Sequence, residues 1–132
     1  MKLRFKVIFI ILLFFSIASY LYIFEKPHRD YIREDAVISL SADDLFKEYQ
    51  INQELSNDNY LNKMVEVHGK VTLIEIGTSR SNILLDNHLF CMFQMEISKE
   101  YKEGDIIKIK GRCIGYDDIF SQVTLDQCLI IN

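Results

Sequence analysis

The segment Val7–Phe24 is the strongest constraint on what this chain can fold into. It holds eighteen residues without a charge, broken in polarity only by Ser16 and Ser19, and it follows a basic start of Lys2, Arg4 and Lys6. Such a run has no polar face to offer water, so it does not join a small globular domain. At about 1.5 Å per residue it nearly spans a hydrocarbon core of about 30 Å. Two readings of it compete. Ser16-Ile17-Ala18 offers small residues at the spacing a signal peptidase reads, which would release a soluble exported form. The apolar run instead continues through Tyr20, Leu21, Tyr22, Ile23 and Phe24, with tyrosines where an interface would lie, and this favours an uncleaved anchor. Residues 1–6 then form a short basic cytoplasmic tail, 7–24 the single span, and the C-terminal part lies outside the cytoplasmic membrane.

What remains is enough for one small domain. Residues 25–36, reading EKPHRDYIREDA, contain the only proline of the chain and dense charge of both signs, and are expected to be a linker. Residues 37–132 would be the folded part. From Ala36 onward there are nine Lys and Arg against fifteen Asp and Glu. That acidic balance argues against a general nucleic-acid binder, which would normally be basic. Ser41 precedes Asp44 by three residues, in the manner of a capping box, and Leu45, Phe46, Tyr49 and Gln53 share one face of a helix predicted from there to about Ser56. Asp43 and Asp44 in its first turn also suit the helix dipole.

From Lys63 the period changes to two. Val65, Val67, Gly69, Val71 and Leu73 point one way and Glu66, His68, Lys70 and Thr72 the other, before Ile74 and Ile76 take the opposite phase. A flip inside a long strand predicts a bulge or bend. After a polar loop over Gly77–Asn82, Ile83–Leu85 pairs with Leu89–Phe93 across a turn at Asp86, Asn87 and His88. Lys99–Asp105 is a connection. Ile107, Ile109, Gly111 and Cys113 then alternate with Lys108, Lys110 and Arg112, and Gln122–Ile131 is the last strand. A long bent first strand, a meander of three and a terminal hairpin predict a mainly β fold. The expected form is a five-stranded OB-type Greek-key barrel, preceded by an amphipathic helix and the N-terminal transmembrane helix. An SH3-like barrel or an open sheet has the same strand count.

Five segments carry a family resemblance. YLNKMVEVHGKV (Tyr60–Val71), GDIIKIKGRCIGY (Gly104–Tyr116) and VTLDQC (Val123–Cys128), preceded by KPHRD (Lys26–Asp30) and SADDLFKEY (Ser41–Tyr49), resemble the membrane-anchored or exported bacterial OB-fold proteins grouped as tRNA-anti-like. The resemblance runs from about Lys26 to the C-terminus. It implies an OB fold behind a membrane segment, in a family without an established biochemical activity. Its label borrows from anticodon-binding domains by fold, and fold does not transfer a ligand.

Chemistry-bearing residues are few. Cys113 and Cys128 flank the turn near Phe120 and Ser121 almost symmetrically, a spacing that sets them opposite one another in a hairpin and within reach of a disulfide. Alternation from Val123 and Leu125 puts Cys128 on the other face unless a bulge falls near Asp126 or Gln127, and buried thiols are the competing reading. Cys91 alternates with Leu89 and Phe93 as a core residue. The sequence holds no Cys-x-x-Cys, no histidine pair at helical spacing and no nucleophile elbow, so no catalytic residue, metal ligand or cofactor is expected. His28, His68 and His88 read as solvated side chains in a linker, on a polar strand face and at a turn.

For binding, the candidate is the strip Lys108, Lys110 and Arg112, with Lys70 and His68 beside it and Tyr116 and Phe120 at one end. The same lysines would also serve simply to solubilise an outer face and discourage edge pairing. The leading expectation is a non-enzymatic binding module held by its N-terminal helix at the cell envelope, with a protein, peptide or glycan as partner. A nucleic-acid binder using the basic strip is the second reading. A thiol-dependent envelope stress protein using Cys113 and Cys128 is the third.

Overall fold

The strand Met64–Ile76 (β2) organises the domain, because its two halves pair with different neighbours. In the computed structural model, which describes residues 2–24, 35–36, 38–97 and 100–131, Met64–Lys70 pairs with Ile106–Asp117 (β5). Val71–Ile76 pairs with Ser81–Leu85 (β3). The register shifts between Val71 and Leu73, which is the bulge that the phase flip predicts. It comes one residue earlier than expected, so Leu73 faces outward at 42% exposure while Ile74 packs on the core. The Thr72 hydroxyl at the bulge donates to the Leu84 carbonyl, 3.1 Å away.

Leu89–Phe93 (β4) runs back from β3 through a turn in which Asp86 and Asn87 both take positive φ, a conformation short Asp and Asn side chains tolerate. β4 then pairs in parallel with Gln122–Ile131 (β6), and β6 pairs antiparallel with β5. With β2 bonded to both β3 and β5, the five strands close, which decides for the OB-type barrel over an open sheet. A sixth strand, Ser39–Ser41 (β1), adds in parallel to the first half of β2, and the sequence reading missed it.

The predicted single helix is two. Ala42–Ile51 (α2) starts at Ser41, whose hydroxyl accepts the Asp44 amide at 3.0 Å as expected. It ends at Asn52, whose backbone is extended. The Asn52 amide carboxamide oxygen then accepts the Leu55 amide and starts a second helix, Gln53–Tyr60 (α3). Gln53 is exposed, whereas Leu45 and Tyr49 are buried against the barrel with Phe46 beside them. The barrel interior is closed by aliphatic residues from every strand, among them Val67, Ile83, Leu85, Ile109, Val123 and Leu125, all fully buried.

Lys2–Phe24 (α1) is a helix whose segment Leu3–Tyr22 is long and apolar enough to cross a membrane, with none of its apolar window buried against protein. The predicted linker lies outside the described residues except for Asp35 and Ala36, as do His28 and Lys99.

The thiols are arranged differently from the hairpin expectation. Cys113 stands opposite Leu125, not Cys128, and its sulfur is 3.3 Å from the Tyr49 hydroxyl. Cys128 does turn inward, because β6 bulges at Gln127, where φ is positive and the register with β5 slips between Lys110 and Arg112. Inside, however, its sulfur lies over Gly111 of β5, where an added β-carbon would stand 2.7 Å from it. The predicted Cys113–Cys128 pairing is therefore corrected by strand register: one bulge brings Cys128 to the core face and displaces it past Cys113.

Candidate functional site

Pairing between β2 and β5 does gather part of the predicted strip, since His68 is opposite Lys108 and Lys70 is opposite Ile106. Lys108 and Arg112 are both engaged across strands. The Lys108 ammonium lies 3.0 Å from Glu66 Oε1 on β2. The Arg112 guanidinium meets Asp126 on β6 in a two-point contact, with Nε donating to Oδ1 at 2.7 Å and Nη2 to Oδ2. Bidentate pairing of this kind fixes both side chains and commits them to one another. Tyr116 is placed elsewhere. A second register shift between Cys113 and Gly115 turns it under α2, where it stacks on Tyr49 with centroids 6.3 Å apart and accepts a hydrogen bond from Gln50 Nε2 at 2.8 Å. Phe120 sits at the tip of the β5–β6 turn at 70% exposure, beside Ile119 at 87%.

The strip is thus a neutralised outer wall. Sequence reading missed a more concave place, on the outward side of β3, β4 and β6. A groove of about 610 Å³ there is lined by Ser79, Arg80, Asn82, Phe90, Met92 and Gln127, with the Arg112–Asp126 pair at its margin. Register explains the gathering: Asn82 is opposite Met92, Leu84 opposite Phe90, and Phe90 in turn beside Thr124 of β6. Arg80 is exposed in the loop 77–80 at one end of these strands. Because β4 and β6 are parallel, the β5–β6 turn with Ile119 and Phe120 lies at the other end. A signal for this face existed. Leu89-Phe90-Cys91-Met92-Phe93 is apolar at all five positions, whereas a strand with one solvated face should alternate.

The chemistry available in the groove is that of recognition. Phe90 offers a ring face, Met92 a polarisable thioether, Asn82 and Gln127 carboxamides, and Arg80 a cation. Asn82 is already oriented, its Nδ2 donating to Glu75 Oε2 at 3.2 Å. Among the described residues no cluster of three His, Cys, Asp or Glu side chains is placed to hold a metal ion. Several shifted titratable groups lie away from the groove, in the seam between helices and barrel. Burial raises the Tyr49 phenol and the Cys113 thiol, and burial together with the hydrogen bond to Glu48 pushes Tyr60 up to about 12.

A closed five-stranded barrel with a long bent first strand, and a groove on its second and third barrel strands between two end loops, defines an OB-fold binding protein. The family model for tRNA_anti-like matches residues 1–129, and the chain belongs to that family. The fold has a solved counterpart in a protein from Klebsiella pneumoniae subsp. pneumoniae MGH 78578, described as a "putative nucleic acid-binding lipoprotein". It matches with a TM-score of 0.56 and 16% identity over 81% of this chain and 100% of that one. No curated protein matches the sequence.

Proposed function

We propose that this chain is a membrane-held OB-fold module of the bacterial envelope that acts by binding, not by catalysis, and that it takes an extended peptide or glycan in the groove over β3 and β4. The observation that carries the reading is the groove's make-up: an aromatic ring, a thioether and two carboxamides, with Arg80 as its exposed cation and Arg112 committed to Asp126. A phosphate backbone would ask for several open cations along its track. Sugars and peptides ask for ring faces and neutral hydrogen-bonding groups, which this groove supplies. Helix α1 supports a membrane attachment by length and composition. The proposed topology, with the barrel outside, is tested by protease digestion of a C-terminal tag in intact spheroplasts, where cleavage without lysis is expected.

The ligand class is tested with the full chain in detergent, offered soluble peptidoglycan fragments and, separately, a labelled single-stranded oligothymidine. Retention of the fragments is expected, weakened at least about tenfold by combined Phe90→Ala and Met92→Ala replacement, a loss of about 1.4 kcal/mol. The second reading is a nucleic-acid binder, favoured by the name of the Klebsiella protein and by the position of Arg80 at the groove's end. Oligothymidine binding that falls steeply with salt and is lost in Arg80→Glu would establish that reading over ours.

A further inference from the structure

The β5–β6 turn is built against the usual chemistry of turns. Its residues 118–121 include Ile119 at 87% exposure and Phe120 at 70%, where polar residues and glycine normally stand. Neither side chain belongs to the core. Asp117 Oδ1 accepts both their amides, at 2.8 and 3.2 Å, so the turn presents the pair in one fixed conformation. Leu61 and Ile114, each 37% exposed, lie at the same end of β5, Leu61 Cδ1 within 3.4 Å of where a β-carbon on Gly115 would stand. Strand direction relates this turn to the incoming chain. Ser39 of β1 lies beside Glu66 of β2, and Glu66 beside Lys110 of β5. β1 runs parallel to β2 and β2 antiparallel to β5, so from Ser39 to Ser41 the chain moves away from the turn. It therefore enters the barrel from the side on which Ile119 and Phe120 project. Upstream, residues 25–38 connect α1 to β1, and fourteen residues reach at most about 50 Å in any arrangement.

We infer that the Ile119–Phe120 turn is a second membrane contact, seated in the interfacial layer of the bilayer that α1 crosses. The inference rests on the membrane attachment proposed above. An aromatic ring beside a branched aliphatic suits that layer, which takes up such side chains at shallow depth. Two side chains are too few to hold a free domain on a membrane. The tether removes that difficulty, because it makes the contact intramolecular and keeps the local concentration of lipid high. Asp117 and Asp118 stand beside the pair, and the turn contains no Lys, Arg or His. Headgroups without net charge are therefore the partner, and anionic lipid opposes the contact. The seated turn also orients the barrel. The groove runs from this turn toward the loop 77–80, so it stands off the bilayer with its Arg80 end outermost.

The sequence contains no tryptophan, so Phe120→Trp installs a single emitter at the turn. The full chain carrying it is reconstituted in phosphatidylcholine vesicles, with and without bromine on the acyl chains. Ile106→Trp, at the opposite end of β5 and 78% exposed in the parent, is the control. Phe120→Trp should give blue-shifted emission that brominated lipid quenches, whereas Ile106→Trp should emit as in water and stay unquenched. Adding Ile119→Ser to Phe120→Trp should reduce the quenching, and so should replacing part of the lipid by phosphatidylglycerol. Flotation with the vesicles separates the two readings. A chain that floats while Phe120→Trp emits as in water overturns the turn contact and leaves the anchor standing, and a chain that does not float overturns both. Equal quenching at the two positions means that the barrel lies on lipid without a preferred face. A blue shift without quenching means that a second copy covers the turn, and either result overturns the inference.

Discussion

At the residue scale, the seam between the helices and the barrel is where polar groups are most deeply committed. The Tyr60 hydroxyl donates to Glu48 Oε2 at 2.6 Å, and burial first, then this bond, raises its phenol from 10.0 to about 12. A folded-state value above the unfolded one means that the native state keeps its proton longer. Stability from this group is fully present below pH 10 and is lost as pH climbs toward 12. Thermal midpoints measured across that window should fall less steeply in Tyr60→Phe than in the parent, and an unchanged slope would remove Tyr60 from the account. Tyr49 and Cys113 have the same sign, so the variant flattens the fall without abolishing it. Gly111 is a second tight point. Gly111→Ala places a methyl 2.7 Å from Cys128 Sγ and 3.2 Å from Leu125 Cβ, and should destabilise the barrel by about 1–3 kcal/mol in urea unfolding.

At the scale of elements, Asn52 ends one helix and begins another. Asn52→Ala removes the acceptor for the Leu55 amide and should cost about 1 kcal/mol, read as a lower urea midpoint with an unchanged slope. Two-residue alternation located β2, its bulge and β5, because burial on one face imposes that period on a long strand, and the turn at Asp86, Asn87 and His88 located β3 and β4 on either side of it. β1 escaped since its three residues are too short to show a period. The break at Asn52 escaped because the apolar positions before it suited a continuing helix. The basic strip was legible as a row of like charges. Its neutralisation was not, since Glu66 and Asp126 reach it only through strand register, and register is a property of pairs of strands. The groove was missed for the complementary reason: Phe90 and Met92 carry no charge to mark the outward face of β4, and their neighbours across it come from other strands.

At the scale of the whole molecule, the buried core among the described residues is assembled from residue 42 onward, with no described residue of α1 in it. A chain beginning at residue 35 should therefore fold, and its thermal midpoint should equal that of the barrel in the full chain in detergent. A marked loss of stability would show that the N-terminal residues support the barrel after all. The order of elements has a mechanical consequence. Any pull between an anchored α1 and a ligand in the groove enters the barrel through β1, which is tied to β2 over only Ser39, Leu40 and Ser41, with Ile38 adding one bond to Glu66. The ladder that closes the barrel, β2 with β5, lies on the other edge of the same strand. On the proposed arrangement, β1 would detach first under tension, lengthening the tether by several residues while the barrel and its load stay intact, so the domain would carry its own slack.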